Sequence, residues 1–268
     1  MNFSRVRAVI GKELFEIRKS RVLLFTLFLP PLLLAVLPIV VMASTSGQMA
    51  AGSNASADQI ARYYGLSPAF SSFSPDELMQ WVVLQEFLIL YLVMPIVIPI
   101  TIAAYSIIGE KHSRSLEPLL ATPIRTDELL LGKSIAGIIP AVLATWAAYL
   151  IFLLGSRLAV TSPQVLAAAF SLMWMVAMLV LVPLLAMLSM SIGVMISSRV
   201  NDTRAAQQIG GMLVLPIVAL GIAQTAGFVL LNAATFIAGA ALIALLDVIV
   251  LRAATRLFQR ETILTRWK

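Results

Sequence analysis

The chain has 268 residues, of which 60% are hydrophobic and only 12% charged; its net charge is +6 and it contains no cysteine. These figures exclude a disulfide framework, a thiolate metal site and a cysteine nucleophile. They also exclude an ordinary soluble domain, whose surface would interleave charge throughout. Five charge-free runs dominate instead: 22–57, 87–109, 134–156, 158–198 and 205–246. A bilayer crossing needs only about 20 apolar residues in a helix. The sequence therefore predicts one all-α, polytopic membrane domain over residues 1–268.

Residues 2–19 come first and predict an amphipathic helix. Phe3, Val6, Val9, Ile10, Leu14 and Ile17 recur at helical spacing, with Arg5, Arg7, Lys12, Arg18 and Lys19 outside that stripe. Such a helix suits a membrane interface. Glu13 falls inside the apolar stripe, which is odd for lipid contact and predicts a basic partner elsewhere in the bundle. The first span follows near 22–42. It is longer than the apolar core of a signal peptide and stands behind a long charged segment, so it reads as retained.

An outer loop, 43–80, begins rich in Ser, Gly and Ala. Asn54-Ala55-Ser56 in it matches a glycosylation sequon, a pattern too common by chance to weigh. The loop ends in Ser74-Pro75-Asp76-Glu77, which reads as a capping box with proline in the first turn. Further spans are predicted near 81–108, 129–154, 166–196, 207–226 and 230–251. The last two divide one charge-free run, and parity demands the division. Arg199 and Arg204 precede it, while Arg252, Arg256, Arg260, Arg266 and Lys268 follow it. Both clusters favour the cytoplasmic side, so an even number of crossings separates them. With six spans, 17 of the 19 basic residues are cytoplasmic, leaving Arg62 and Arg157 outside. Both termini are then cytoplasmic, and the small residues Gly210, Gly211 and Gly221 offer the fifth span a close packing face for a second subunit.

Between spans two and three lies the most informative stretch, residues 109–133, GEKHSRSLEPLLATPIRTDELLLGK. Ser115 can cap a short helix in which Leu116, Leu119 and Leu120 share a face; Pro123 ends it. From spacing alone, that helix either rests on lipid or is gripped by a soluble partner. Two carboxylates stand within spans, Glu86 near the outer end of the second and Asp247 near the inner end of the last. Mid-membrane charge is costly. Asp247 is read mainly as pairing with a basic residue at the inner interface and secondarily as part of a substrate path; Glu86 is read as solvated.

Taken with GKELFEIRKSR near the N-terminus and the closing LFQRETILTRWK, the 109–133 segment resembles type-2 ABC (ATP-binding cassette) exporter permeases over essentially the whole chain. The resemblance implies a coupling segment at 109–126, with Glu110, Ser115, Leu116, Glu117, Leu119, Leu120 and Pro123 at the contact with an ATPase subunit. His112 stands where this family often has a second acid. Two permeases, identical or homologous, with two ATPases are implied, together with short outer half-helices in the stretch 221–235. The implied setting is a prokaryotic cell membrane.

This chain contains no phosphate-binding loop, so ATP and Mg would bind the partner. No catalytic residue, cofactor or metal site is expected here. An intramembrane hydrolase would need a base inside the bundle; the only histidine is His112 in a loop, and no lysine is expected within a span. A non-transporting membrane partner or signalling component of an ATPase is the alternative. The cargo is not written in the sequence, and nothing points to nucleic acid.

Overall fold

In the computed structural model, residues 2–45, 73–113, 125–160, 162–226 and 233–257 are described. Among them the chain is helical and has no strand. The helices are α1 (Phe3–Lys19), α2 (Arg21–Thr45), α3 (Pro75–Tyr91), α4 (Met94–His112), α5 (Thr126–Ala159), α6 (Pro163–Ala169), α7 (Leu172–Val176), α8 (Val182–Arg199), α9 (Thr203–Gly211), α10 (Leu215–Thr225) and α11 (Ala233–Leu257). A π-helical turn, Ala177–Leu181, joins α7 to α8, and a 3-10 turn, Met212–Val214, joins α9 to α10. Among the described residues, six segments are long and apolar enough to cross a membrane: α2, α3–α4, α5, α6–α8, α9–α10 and α11. The charge-free run 205–246 thus divides between two of them, as parity requires.

Local chemistry sets the boundaries. Ser74 accepts from the Glu77 backbone N–H at 3.3 Å, and the Glu77 carboxylate accepts from the Ser74 N–H at 2.8 Å, closing the predicted capping box. The second span is interrupted at Leu92 and Val93. Pro95 then sits in the first turn of α4, where a missing N–H costs nothing. Residues 46–72, 114–124, 227–232 and 258–268 lie outside the described residues, and with them most of the outer loop. Of the stretch implied to hold outer half-helices, residues 221–225 end α10 and 233–235 begin α11, while 227–232 lie outside the described residues.

The second span is the buried centre. Its α4 half packs against α8, α9 and α5, while α2 lies along α5 and α11 along α8. Proline kinks are expected to leave carbonyls without their helical donors. Three of these carbonyls receive a side chain from a neighbouring helix. Pro38 cannot donate to the Leu34 carbonyl, and the Tyr91 hydroxyl donates there at 2.8 Å. Pro99 leaves the Pro95 carbonyl open, and Ser189 Oγ donates to it at 2.7 Å. The third case explains the π turn. Val182 N–H bonds Ala177 O with the wider i→i+5 spacing, so the next donor would be residue 183 to Met178 O. That residue is proline, and the Trp146 indole N–H donates to Met178 O at 2.8 Å instead.

Apolar surroundings make these substitutes valuable. Trp146→Phe keeps the ring bulk but leaves Met178 O without that donor. It should destabilise the protein by about 1–3 kcal/mol, the cost of an unsatisfied buried group. Thermal unfolding in detergent or lipid reads the change directly, and an unchanged midpoint would show that the π turn needs no outside donor.

The apolar stripe of α1 packs on the bundle, and Glu13 finds the basic partner expected for it. That stripe, with Val6, Val9, Glu13 and Ile17, is buried against protein. Asn2 meets Glu128 at the start of α5, and Val9 meets Gly132. Glu13 bonds Ser106 and Lys133, and Ile17 joins an apolar cluster with Ile102 and Ala141. Successive α1 residues therefore meet positions progressively farther from the α4 and α5 ends. The helix thus runs beside α5. A bare Gly132 permits this approach, since a Cβ there would stand 2.7 Å from Val9 Cβ. Gly210, expected to face a second subunit, packs instead on Ile100 of the same chain, whereas Gly211 faces open space.

Candidate functional site

The site grows from the two roots of the loop between spans two and three. One root is the end of α4, carrying Glu110, Lys111 and His112; the other is the start of α5, carrying Glu128 and Lys133. Contrary to the expectation that no lysine lies within a span, Lys133 sits inside α5, in its membrane-crossing segment, with only 3% of its surface exposed. Its ammonium lies 2.6 Å from Glu13 Oε1 and 2.7 Å from Ser106 Oγ. It also stands 2.9 Å from Glu110 Oε2, an ion pair by distance although off-line for a hydrogen bond. Lys12 hydrogen-bonds Glu110 Oε1 and stands 3.6 Å from Glu13. Two carboxylates and two ammoniums from α1, α4 and α5 thus neutralise one another.

Burial alone would push the Glu13 carboxyl upward. The charge and hydrogen bond of Lys133, helped by the Ser106 hydroxyl and the Lys12 charge, outweigh that and hold it below the usual carboxylate range. Burial likewise pulls Lys12 down, but the hydrogen bond and charge of Glu110, with Glu13 and Glu16, raise it overall. Both groups are therefore charged across the physiological range. Glu13 contributes stability above the unfolded carboxylate range, and the contribution is lost as pH falls through its lowered value. Lys12 contributes below the unfolded lysine range and is lost at high pH.

Glu128, the capping residue of α5, extends the same clasp. It accepts from its own Arg125 N–H at 3.2 Å and from the Asn2 N–H at 2.6 Å, and pairs with Arg5 at 3.7 Å. On the opposite flank, Lys111 Nζ donates to the carbonyls of Ser197, Ser198 and Val200 at 2.9, 2.7 and 3.1 Å. A lysine is well placed there, because the last carbonyls of α8 lack helical donors and carry the negative end of its dipole. His112 Nε2 lies 3.1 Å from Asn201 O beside it.

Glu110, expected at the contact with a partner, thus turns its carboxylate inward and is 5% exposed. Ser115, Leu116, Glu117, Leu119, Leu120 and Pro123 lie outside the described residues. Glu86 is partly buried on α3. Asp247 is buried, and no ion pair to it is present among the described residues, so the expected basic partner is not found. Sequence reading missed Lys12, Ser106 and Lys133 as partners of Glu13. They lie up to 120 residues away from it, and the misplaced acid was the only signal.

A second feature is a cleft of about 260 Å³ between α2, α4 and α9, lined by Thr26, Val97, Ile100, Thr101, Gln207 and Gly211. Its walls are mainly apolar, with Thr26, Thr101 and Gln207 as the polar residues. Among the described residues, no three His, Cys, Asp or Glu side chains gather as metal ligands.

A family model described as "ABC-2 family transporter protein" matches residues 7–262. No curated protein gave a match to the chain.

Proposed function

Because the chain belongs to the ABC-2 family of transporter proteins, membrane permease subunits that work with ABC ATPases, we propose that it forms the translocation path of an ATP-driven exporter. The path is completed by a second permease, and two ATPase subunits drive it through the segment 109–126. ATP and Mg belong to those partners. Both termini and the coupling segment face the cytoplasm of a prokaryotic cell, in keeping with the distribution of Lys and Arg.

The observation that carries this reading is the clasp at the roots of the segment. Residues 114–124 connect α4 to α5 in the sequence, and Lys133 ties the two helix ends together through Glu110. Lys12 and Glu13 add α1; Lys111 adds α8. A push delivered to Leu116, Leu119 and Leu120 would then move four membrane-linked helices as one body. Rigid elements joined by charge-assisted bonds transmit such a displacement better than a free loop. The cleft between α2, α4 and α9 opens next to this body and supplies an apolar site with Thr101 and Gln207 as polar anchors. Beside it, Ile209, Met212, Leu215 and Ile222 form an exposed apolar face suited to the second permease.

Leu119→Asp tests the reading. An unpaired charge in a buried contact costs more than the roughly 2–7 kcal/mol of burying an unbonded neutral polar group. Membrane insertion should be unaffected, while co-purification of the ATPase or substrate-stimulated hydrolysis falls at least about tenfold, the equivalent of 1.4 kcal/mol. Arg7→Ala, on the exposed side of α1, is the control and should change neither. Full retention of binding, stimulated hydrolysis and export in Leu119→Asp would leave the segment as a helix resting on lipid. Hydrolysis without substrate stimulation in the unmodified complex would favour the non-transporting partner.

A further inference from the structure

Asp247 stands apart from the other buried carboxylates among the described residues. Glu13, Glu110 and Glu128 each face an ammonium, a guanidinium or a backbone N–H. Asp247 is 1% exposed, and neither of its carboxylate oxygens has a hydrogen-bond partner. It occupies the buried stripe of α11, in line with Phe236, Ala240 and Ala254. This stripe faces α8, α7 and the π turn. Those three elements carry one ionisable residue, Arg199, which is exposed at the end of α8. On α11 itself, Arg252 is exposed and Arg256 lies farther toward the end. Asp247 is seven residues inside the span end at Ala254. That is about 10 Å of helix rise, within the hydrocarbon.

An ionised carboxylate in this position would have neither water nor a counter-charge, and a group so placed neutralises rather than bear the desolvation cost. We propose that Asp247 is a proton-binding site within the membrane: it sits in the α8–α11 seam as the neutral carboxylic acid, and loss of its proton loosens the seam. The step is simple dissociation. The carboxyl O–H bond breaks, its electron pair stays on the carboxylate, and the proton passes to water. The proposal does not depend on the transport reading, since it concerns only how α11 is held.

Infrared difference spectroscopy on the full chain in lipid vesicles tests it, comparing wild type with Asp247→Asn at a pH where surface carboxylates are ionised. The expected result is a protonated-acid C=O band, shifted in D₂O, that wild type has and Asp247→Asn lacks. Loss of a carboxylate band instead would overturn the proposal. Should Asp247→Asn fail to assemble, Asp247→Glu, which keeps the carboxyl, gives the comparison: the acid band should shift in frequency, and an absent or unshifted band would overturn the proposal. Where Asp247→Asn assembles, thermal unfolding gives a second reading. The folded chain would hold a proton that the unfolded chain releases above about pH 4, so wild type should lose stability relative to Asp247→Asn over the range from about pH 4 upward. A difference in midpoint that stays constant across that range would count against it.

Discussion

Lys133→Met should cost the protein about 3–5 kcal/mol, the usual penalty for removing one partner from a buried ion pair. The loss is large because of what remains. Glu13 and Glu110 are 3% and 5% exposed, and without Lys133 they share only Lys12, which is itself partly solvated. Methionine fills much of the lysine volume, so the effect reports charge rather than a cavity. Thermal unfolding of the purified chain gives the magnitude. Limited trypsin digestion should show earlier cleavage within α1, since its anchor to α5 has gone. Adding Glu13→Gln to the same chain removes one stranded carboxylate and should recover part of the loss. A cost below about 1 kcal/mol, the range of exposed ion pairs, would show that the cluster is solvated and does not hold the helices together.

Gly132→Val should detach the same helix without touching any charge. A Cβ at residue 132 would stand 2.7 Å from both Cβ and Cγ1 of Val9 and 3.3 Å from the Val6 carbonyl oxygen. Backbone cannot retreat as a side chain can, so α1 must shift outward. Overpacking of this kind costs about 1–3 kcal/mol and sometimes more. Gly11→Ala is the matched control, because a Cβ there meets nothing within 4 Å. Helix propensity alone predicts a gain of up to about 1 kcal/mol for that change. If the clasp transmits motion from the coupling segment, Gly132→Val should also lower substrate-stimulated ATPase activity while Gly11→Ala does not. Equal behaviour of the two glycine variants would mean that the close approach of α1 to α5 has no mechanical role.

The sequence by itself determined the class of the protein. Long charge-free runs bounded by Lys and Arg dictated six crossings, because an uncompensated charge in hydrocarbon is costly and each crossing has a minimum length. Parity across 205–246 required two helices there, and Ser74 with Glu77 marked the start of α3, because capping depends only on neighbouring residues. Tertiary structure decided everything that depends on partners far apart in the chain. Glu13 was visibly misplaced, yet its partners Ser106 and Lys133 lie 93 and 120 residues away, beyond any local pattern. The prolines were visible too. That Tyr91, Ser189 and Trp146 would supply the missing donors could be known only once the helices were packed. Amphipathicity told that α1 must bury one face, but an apolar stripe is equally content against lipid or protein. The bare backbone at Gly132 and the charges at Glu110 and Lys133 settled the choice, because only a protein surface offers both close approach and a counter-charge to Glu13.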